Sequence, residues 1–417
     1  MFLFANLAQR TGQLGVLALL VAVAAPSEVT WFGLFGSFFL VVVPLSTWNV
    51  HLSIGRLWFT VSQREGQVQL ASTLLVTGLA LGIVGTLLAI GVLAARPDLL
   101  EPSGLFTRIS PLMLLGSVAY VVATYTHALL RATDRVRGFF WFSLALSLGY
   151  PLAFLAAGPW TGFGFMAAAI SFVVAYGLSG AVGVFALRDL LTSRRAGWRP
   201  ALLRSAFAFG SGTAIFSLTQ WVINCAGRWI GALHLDATEL AGYTLVTQVY
   251  GVVGGLISVF FETYRVVVLK KFASGDEARA IHLLWRPTLQ ALGAITLLHV
   301  LVAPLVPWLP RWLGNAYDLE LTWIGLSWLV SAGGVFLVRT MWIAECYFVT
   351  RRFAVIAVLC SLLILTTSLT WSRRLGVAGL LLAPVVGVWV QLLLTSWMLR
   401  REAKRRAGHI RRGLDRA

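Results

Sequence analysis

The sequence is poor in charge, and above all in acidic residues. Charged residues make up only 12% of the 417, and 16 acidic residues stand against 33 basic ones. So few polar side chains cannot cover a globule of this length, which excludes a soluble protein. Cysteine is also scarce. Cys225, Cys346 and Cys360 lie in apolar runs without paired spacing, which argues against a disulfide framework or a metal site.

Two further absences limit the function. The sequence has no Gly-x4-Gly-Lys-Ser/Thr phosphate loop and only three lysines, so the chain is not its own ATP-driven motor. No connection on the predicted outer side exceeds roughly fifteen residues, which leaves no room for an external catalytic domain. We therefore expect no enzyme, no catalytic residue and no cofactor.

Apolar residues dominate the chain, with a mean hydropathy of +0.83 and 58% hydrophobic residues. Runs of about 20 apolar residues are long enough to cross ~30 Å of bilayer as helices. An open sheet would leave backbone groups unsatisfied in lipid, so an all-α polytopic membrane protein is predicted. The twelve runs lie at 2–25, 33–55, 68–95, 108–130, 138–157, 162–187, 207–233, 240–263, 287–309, 321–349, 353–371 and 376–399.

Basic residues are distributed asymmetrically between these runs. Alternate connections and the tail hold 25 of the 33 basic residues, while the remaining connections hold five. The positive-inside rule therefore places both termini in the cytoplasm of a bacterial plasma membrane. The net charge of +17 lies mainly in these inner segments, where anionic lipid head groups attract it, so nucleic acid is not an expected partner.

The chain divides into two similar halves. We predict an N-terminal six-helix lobe at 1–190, a cytoplasmic linker at 191–204, a C-terminal six-helix lobe at 205–399 and a basic tail at 400–417. Acidic outer turns (Glu28, Glu239) and Gly-started helices recur at offsets of about 209 to 216 residues. With six helices per half, such repeats are parallel in the membrane, which is typical of transporters with a substrate path between the lobes.

Several short motifs resemble those of bacterial polysaccharide-export flippases, in the multidrug, oligosaccharidyl-lipid and polysaccharide exporter superfamily. The second half contributes Ser211-Gly-Thr213, Trp221-Val-Ile-Asn224, Gly227-Arg228-Trp229-Ile230-Gly231 and Glu239-Leu-Ala-Gly242-Tyr243. The first half contributes Phe32-Gly-Leu-Phe35, Ile54-Gly-Arg56 and Leu130-Arg131. Many relatives have an acidic residue before the arginine of the seventh helix, whereas this chain has Gly227.

The resemblance implies a flippase that moves a polyprenyl-diphosphate-linked oligosaccharide to the outer leaflet for lipopolysaccharide or other surface polysaccharide. The implied partners are this lipid-linked substrate, membrane lipids and a polysaccharide polymerase or assembly proteins. Two alternatives stay open: a multidrug or cation antiporter of the same superfamily, and a polytopic enzyme of cell-envelope synthesis. Drug antiporters need embedded carboxylates, and the embedded charges here are mainly arginines.

Three arginines lie at predicted bilayer depth: Arg10, Arg228 and Arg339. Each costs at least ~2.5 kcal/mol there and normally faces a bundle interior or a watery cavity. Gln13 and Asn224 lie one helical turn from Arg10 and Arg228. The resemblance assigns these five residues to a cavity that binds the diphosphate, because guanidinium groups donate paired hydrogen bonds to oxyanions. Structural hydrogen bonding or snorkelling is the alternative.

Glu345 and His127 are the candidates for ion coupling, although a structural role for Glu345 and hydrogen-bonded packing for His127 are the leading interpretations. Because the embedded charges are net positive, the membrane potential is the predicted driving force for an anionic substrate. The pairs Gly78-x3-Gly82 and Gly251-x3-Gly255 predict close helix contacts.

Overall fold

The structure is a computed structural model that describes residues 15–61, 63–95, 105–191, 198–248, 274–304, 320–347 and 349–414, with a few single residues between these ranges. Within them it is almost entirely helical and contains no strand. The first half has α1 (15–23), α2 (Pro26–Thr47), α3 (Val50–Thr60), α4 (Arg64–Ala94), α5 (Leu105–Ala132), α6 (Val136–Thr161), α7 (Phe165–Ala186) and the short α8 (Arg188–Leu191). The second half has α9 (Pro200–Trp221), a π-helical turn (Val222–Ala226), α10 (Gly227–Gly231), α11 (237–248), α12 (Glu277–Leu283), α13 (Trp285–Val302), α14 (Leu321–Cys346) and α15 (Thr350–Leu414).

These helices follow the predicted apolar runs closely. Seven helices of the described part are long and apolar enough to cross a membrane. The longest, α15, contains both of the last two predicted runs, and a kink at Gly376, with a positive φ of 58°, separates its two helical parts. The run predicted at 33–55 is instead divided, since α2 ends at Thr47 and α3 begins at Val50.

The described helices form two compact units. The first contains α1 to α9 and residues 236–244, and the second contains the π-helical turn, α10, residues 245–248 and α12 to α15. The linker predicted at 191–204 and the lobe boundaries around it stay predictions. In the first unit, aromatic rings from α2, α5 and α7 form the core, with the Phe39 and Phe172 rings stacked 4.5 Å apart between centroids.

The acidic turns that the sequence predicts on the outer side contain helix caps. The Glu28 carboxylate accepts a hydrogen bond from the backbone N–H of Phe165, the first residue of α7, at 3.3 Å. Gly164 leaves the space for it, because a Cβ there would lie 2.2 Å from the Glu28 Oε1 atom. Asp236 caps α11 in the same way, accepting bonds of 2.8 Å from the N–H groups of Thr238 and Glu239.

The Gly78-x3-Gly82 pair makes the close helix contact predicted for it. A Cβ at Gly78 would lie 2.3 Å from the Cζ atom of Tyr125, and one at Gly82 would lie 2.8 Å from a methyl of Val121. These two glycines therefore allow α4 to approach α5 closely. The second pair, at 251 and 255, lies outside the described residues.

We expect Gly78→Val to destabilise the protein by about 1–3 kcal/mol, because the new side chain would overlap the ring of the fully buried Tyr125. Gly91→Val is the matched control on the same helix, since a Cβ at Gly91 meets no atom within 4 Å. Thermal unfolding of the purified protein in detergent measures both. Equal melting temperatures for the two variants would contradict the packing role of Gly78.

Candidate substrate site

Arg228 is the most deeply buried of the predicted cavity residues that the structure describes. It lies on α10, its residue exposure is 4%, and its Nε donates a hydrogen bond of 3.1 Å to the Thr247 hydroxyl on α11. Thr247 is itself 5% exposed. A buried guanidinium carries five N–H donors, so this bond satisfies one of them.

A π-helical turn comes directly before Arg228. It spans Val222–Ala226 and contains Asn224, which is half-buried. A π-helical turn inside an α-helix holds one extra residue, changes the direction of the side chains after it and occurs frequently at functional sites. The apolar run predicts a plain helix here, and nothing in the pattern of residues indicates the wider turn.

Arg339 lies against a different neighbour. It is half-buried on α14, and its guanidinium carbon lies 3.9 Å from the ring centroid of Trp285, the first residue of α13. Its Nε is buried with no hydrogen-bond partner in the described part of the chain. Trp285 precedes Arg286, which belongs to a basic connection predicted to lie on the inner side. This geometry favours the snorkelling interpretation of Arg339 over a place beside Arg228.

The structure describes both ion-coupling candidates, His127 and Glu345. The His127 ring on α5 packs against the rings of Phe139 and Phe142, with centroids 4.9 and 5.5 Å apart. Glu345 is half-buried in the last turn of α14. No group of three or more potential metal ligands occurs in the described ranges. Arg10 and Gln13, the cavity candidates on the first run, lie outside the described residues.

The structure also shows a polar site that the apolar pattern conceals. Trp48 and Asn49, between α2 and α3, both adopt left-handed backbone conformations, with φ of 51° and 50°. Asn49 donates a hydrogen bond of 2.6 Å to the Ser217 hydroxyl on α9. Close by, the ring of His51 lies 5.5 Å from the ring of Tyr125. Asn49 and His51 are polar residues inside an apolar run, and this is the sequence feature that could have indicated the site.

Such a break costs energy and so needs support from its surroundings. A left-handed conformation costs of order 1–3 kcal/mol at a residue other than glycine, and here two occur in succession. Gly210 of α9 lies directly against the break, since a Cβ there would come within 2.3 Å of the Trp48 carbonyl oxygen. The first unit thus holds a strained, hydrogen-bonded interruption in its second predicted run.

In the described part of each unit, a carboxylate lies among arginines at the predicted cytoplasmic end. In the first unit, Asp189 accepts two hydrogen bonds from Arg135, at 2.7 and 2.6 Å, and lies 3.7 Å from Arg64. The bonds from Arg135 hold the pKa of the Asp189 carboxyl below its usual value. Arg135 also donates to the carbonyl oxygen of Ala186. These contacts join three connections that the positive-inside rule predicts to be cytoplasmic.

In the second unit the corresponding carboxylate is Glu402. Its side chain is 3% exposed and lies 2.9 Å from Arg405, 3.5 Å from Arg406 and 3.8 Å from Arg352. Arg406 also donates to the carbonyl oxygen of Tyr347 at 2.8 Å. Asp189 and Glu402 are 213 residues apart, within the range of offsets seen in the sequence. The two clusters therefore agree with the predicted parallel repeat.

No family model matches the sequence, and no curated protein matches it closely enough to be significant. Solved structures do match it over almost the whole chain. An inward-facing multidrug resistance MATE family transporter of the MOP superfamily aligns with a TM-score of 0.68 at 15% identity, covering 95% of this chain and 96% of the other. The lipid II flippase MurJ, in an inward closed conformation, aligns with a TM-score of 0.64 at 14% identity, covering 95% and 86%. The eukaryotic MATE transporter AtDTX14 aligns with a TM-score of 0.64 at 14% identity, covering 97% and 96%.

The chain shares the fold of these solved structures. This confirms the predicted fold class, an all-α multi-pass membrane protein with about twelve helices in two lobes. The likeness extends to proteins described as drug transporters and to one described as a lipid flippase. Because the sequence identities are only 12 to 16%, this structural likeness shows the fold alone.

Proposed function

We propose that the chain is a membrane transporter that moves a polyprenyl-diphosphate-linked oligosaccharide from the inner to the outer leaflet. Its two lobes would expose the substrate to each side of the membrane in turn, as alternating access requires. The fold supports a transporter, since structures described as transporters and flippases share it. The assignment to surface polysaccharide rests on the sequence resemblance. The proposed place is a bacterial plasma membrane, with both termini in the cytoplasm.

The observation that carries the choice of substrate is the sign of the buried charge. Arg228 and Glu402 are the charged residues that the described part of the chain buries below a tenth of their surface. Glu402 lies among three arginines at the inner end of α15, whereas Arg228 lies within a predicted spanning run. A buried cation within the membrane favours an anionic substrate such as a diphosphate.

The alternative function is a multidrug or cation antiporter, which the MATE structures favour by fold. Exchange of a cationic drug for an ion needs an embedded carboxylate, and the candidate Glu345 lies in the last turn of its helix. A polytopic envelope enzyme is the other alternative, and the structures that share the fold are described as transporters or flippases.

One pair of assays in a deletion strain tests the proposal. We expect the wild-type chain to restore lipid-linked oligosaccharide in the outer leaflet, measured by mass spectrometry after surface labelling, without raising resistance to cationic drugs. The variant Arg351→Gln, which alters an exposed inner arginine, is the control and should behave as wild type. Drug resistance without outer-leaflet oligosaccharide would overturn the proposal and establish the antiporter.

A further inference from the structure

The first unit carries an apolar groove of 660 Å³ between α5 and α7. Leu115, Val118 and Val122 line it on α5, and Val173, Val184 and Phe185 line it on α7. Gly177 of α7 and Ala119 of α5 also line the groove, and a Cβ at Gly177 would meet no atom within 4 Å. Gly180 and Gly183 make the contact itself, with Val122 and Thr126 as their neighbours.

The groove ends in a basic group. Arg188, the residue after Leu187 at the end of α7, lines this end, and its guanidinium carbon lies 4.9 Å from the ring centroid of Phe185. Arg137 is exposed and lines the adjoining recess with Asp134, Arg135 and Ala186. Asp189 also lies near this end, where it contacts Arg135 and Arg64. The charge at this end is therefore net positive.

The length of the groove matches one leaflet. From Val173 to Phe185 the helix advances twelve residues, or about 18 Å at 1.5 Å per residue. Half of the ~30 Å hydrocarbon core is about 15 Å. The groove thus runs from near the bilayer centre to the arginine-rich end, which the positive-inside rule places at the cytoplasm.

We propose that this groove binds one anionic phospholipid of the cytoplasmic leaflet, with an acyl chain between α5 and α7 and the phosphate at Arg188. Charge complementarity selects the anionic head group, because a guanidinium donates paired hydrogen bonds to phosphate oxygens. The length of the groove favours a phospholipid over the proposed substrate lipid, because a polyprenyl chain is far longer than one leaflet. This inference does not depend on the proposed transport function.

Native mass spectrometry of the purified full chain tests the site, with phosphatidylglycerol and phosphatidylcholine of identical acyl chains as the added lipids. We expect the wild type to retain one phosphatidylglycerol at least tenfold more strongly than phosphatidylcholine. Gly177→Leu should abolish this retention, because its side chain projects into a space with no atom within 4 Å of the Cβ. Arg188→Gln should reduce phosphatidylglycerol binding to the level of phosphatidylcholine.

Two matched controls separate the groove from the general surface. Gly91→Leu adds the same side chain at another exposed, open position, and Arg351→Gln removes an exposed arginine from the second unit. Both should bind phosphatidylglycerol as the wild type does, with unchanged melting temperatures in all four variants. Wild-type retention in Gly177→Leu, or equal binding of the two phospholipids, would overturn the proposal. Displacement of phosphatidylglycerol by an equal concentration of a polyprenyl phosphate would also overturn it, by identifying the occupant as the substrate lipid.

Discussion

Export by the Arg228→Ala variant should fall at least tenfold, while Arg228→Lys should keep a measurable part of wild-type export. Truncating one member of a buried charge pair costs about 2–5 kcal/mol, and each 1.4 kcal/mol is tenfold in affinity. Lysine keeps the positive charge that attracts a diphosphate but loses the planar, paired donors. The measurement is the outer-leaflet oligosaccharide assay, normalised to the amount of protein in the membrane.

The hydrogen bond from Arg228 to Thr247 supplies the control for this experiment. Thr247→Val removes the acceptor and keeps the charge, so it should lower stability by about 1 kcal/mol and preserve most export. If the role of Arg228 were purely structural, Thr247→Val and Arg228→Ala would both lose export. Wild-type export in Arg228→Ala would remove Arg228 from the substrate site altogether.

Export in reconstituted vesicles should collapse when a potassium ionophore abolishes the membrane potential, and it should survive when only the pH gradient is removed. Each uncompensated elementary charge that crosses the membrane responds by ~2.3 kcal/mol per 100 mV, which is roughly fiftyfold. An inside-negative potential favours outward movement of an anion. Arg228, buried within a predicted spanning run, would neutralise part of that charge during the movement.

Variants of the two ion-coupling candidates complete this second test. Glu345→Gln and His127→Gln should both retain export, because neither titration is needed when the potential supplies the drive. His127 packs against two phenylalanine rings, a contact that glutamine can replace without a charge. Loss of export in Glu345→Gln with normal folding, or collapse on removal of the pH gradient alone, would establish proton coupling instead.

Much of the fold follows from local properties of the chain. A spanning helix needs an unbroken apolar run of fixed length, and this requirement is visible without any knowledge of neighbouring helices. The run predicted at 138–157 accordingly lies within α6, and the run at 162–187 nearly coincides with α7. The repeat offset is also a property of the chain alone, and the later pairing of Asp189 and Glu402 with arginines agrees with it.

The contacts within the candidate site depended on tertiary structure. The sequence by itself determined that Arg228 and Arg339 lie in apolar runs, where a charge needs a partner. Only the folded structure decided that the Thr247 hydroxyl accepts a hydrogen bond from the Nε of Arg228 and that the Arg339 guanidinium lies over the Trp285 ring. Partners such as these come from helices distant in sequence, and hydropathy carries no information about which helices meet.

The backbone irregularities have the same origin. Hydropathy treats 33–55 and 207–233 as uniform runs, yet the first breaks at Trp48 and Asn49, and the second contains a π-helical turn. Both departures raise the local energy of an isolated helix, so no local preference predicts them. Contacts made on folding, such as the bond from Asn49 to Ser217 beside Gly210, stabilise the break. The sequence by itself thus determined where the chain enters the membrane, and the tertiary structure decided where its helices depart from regularity, because the energy that permits a departure comes from neighbouring helices.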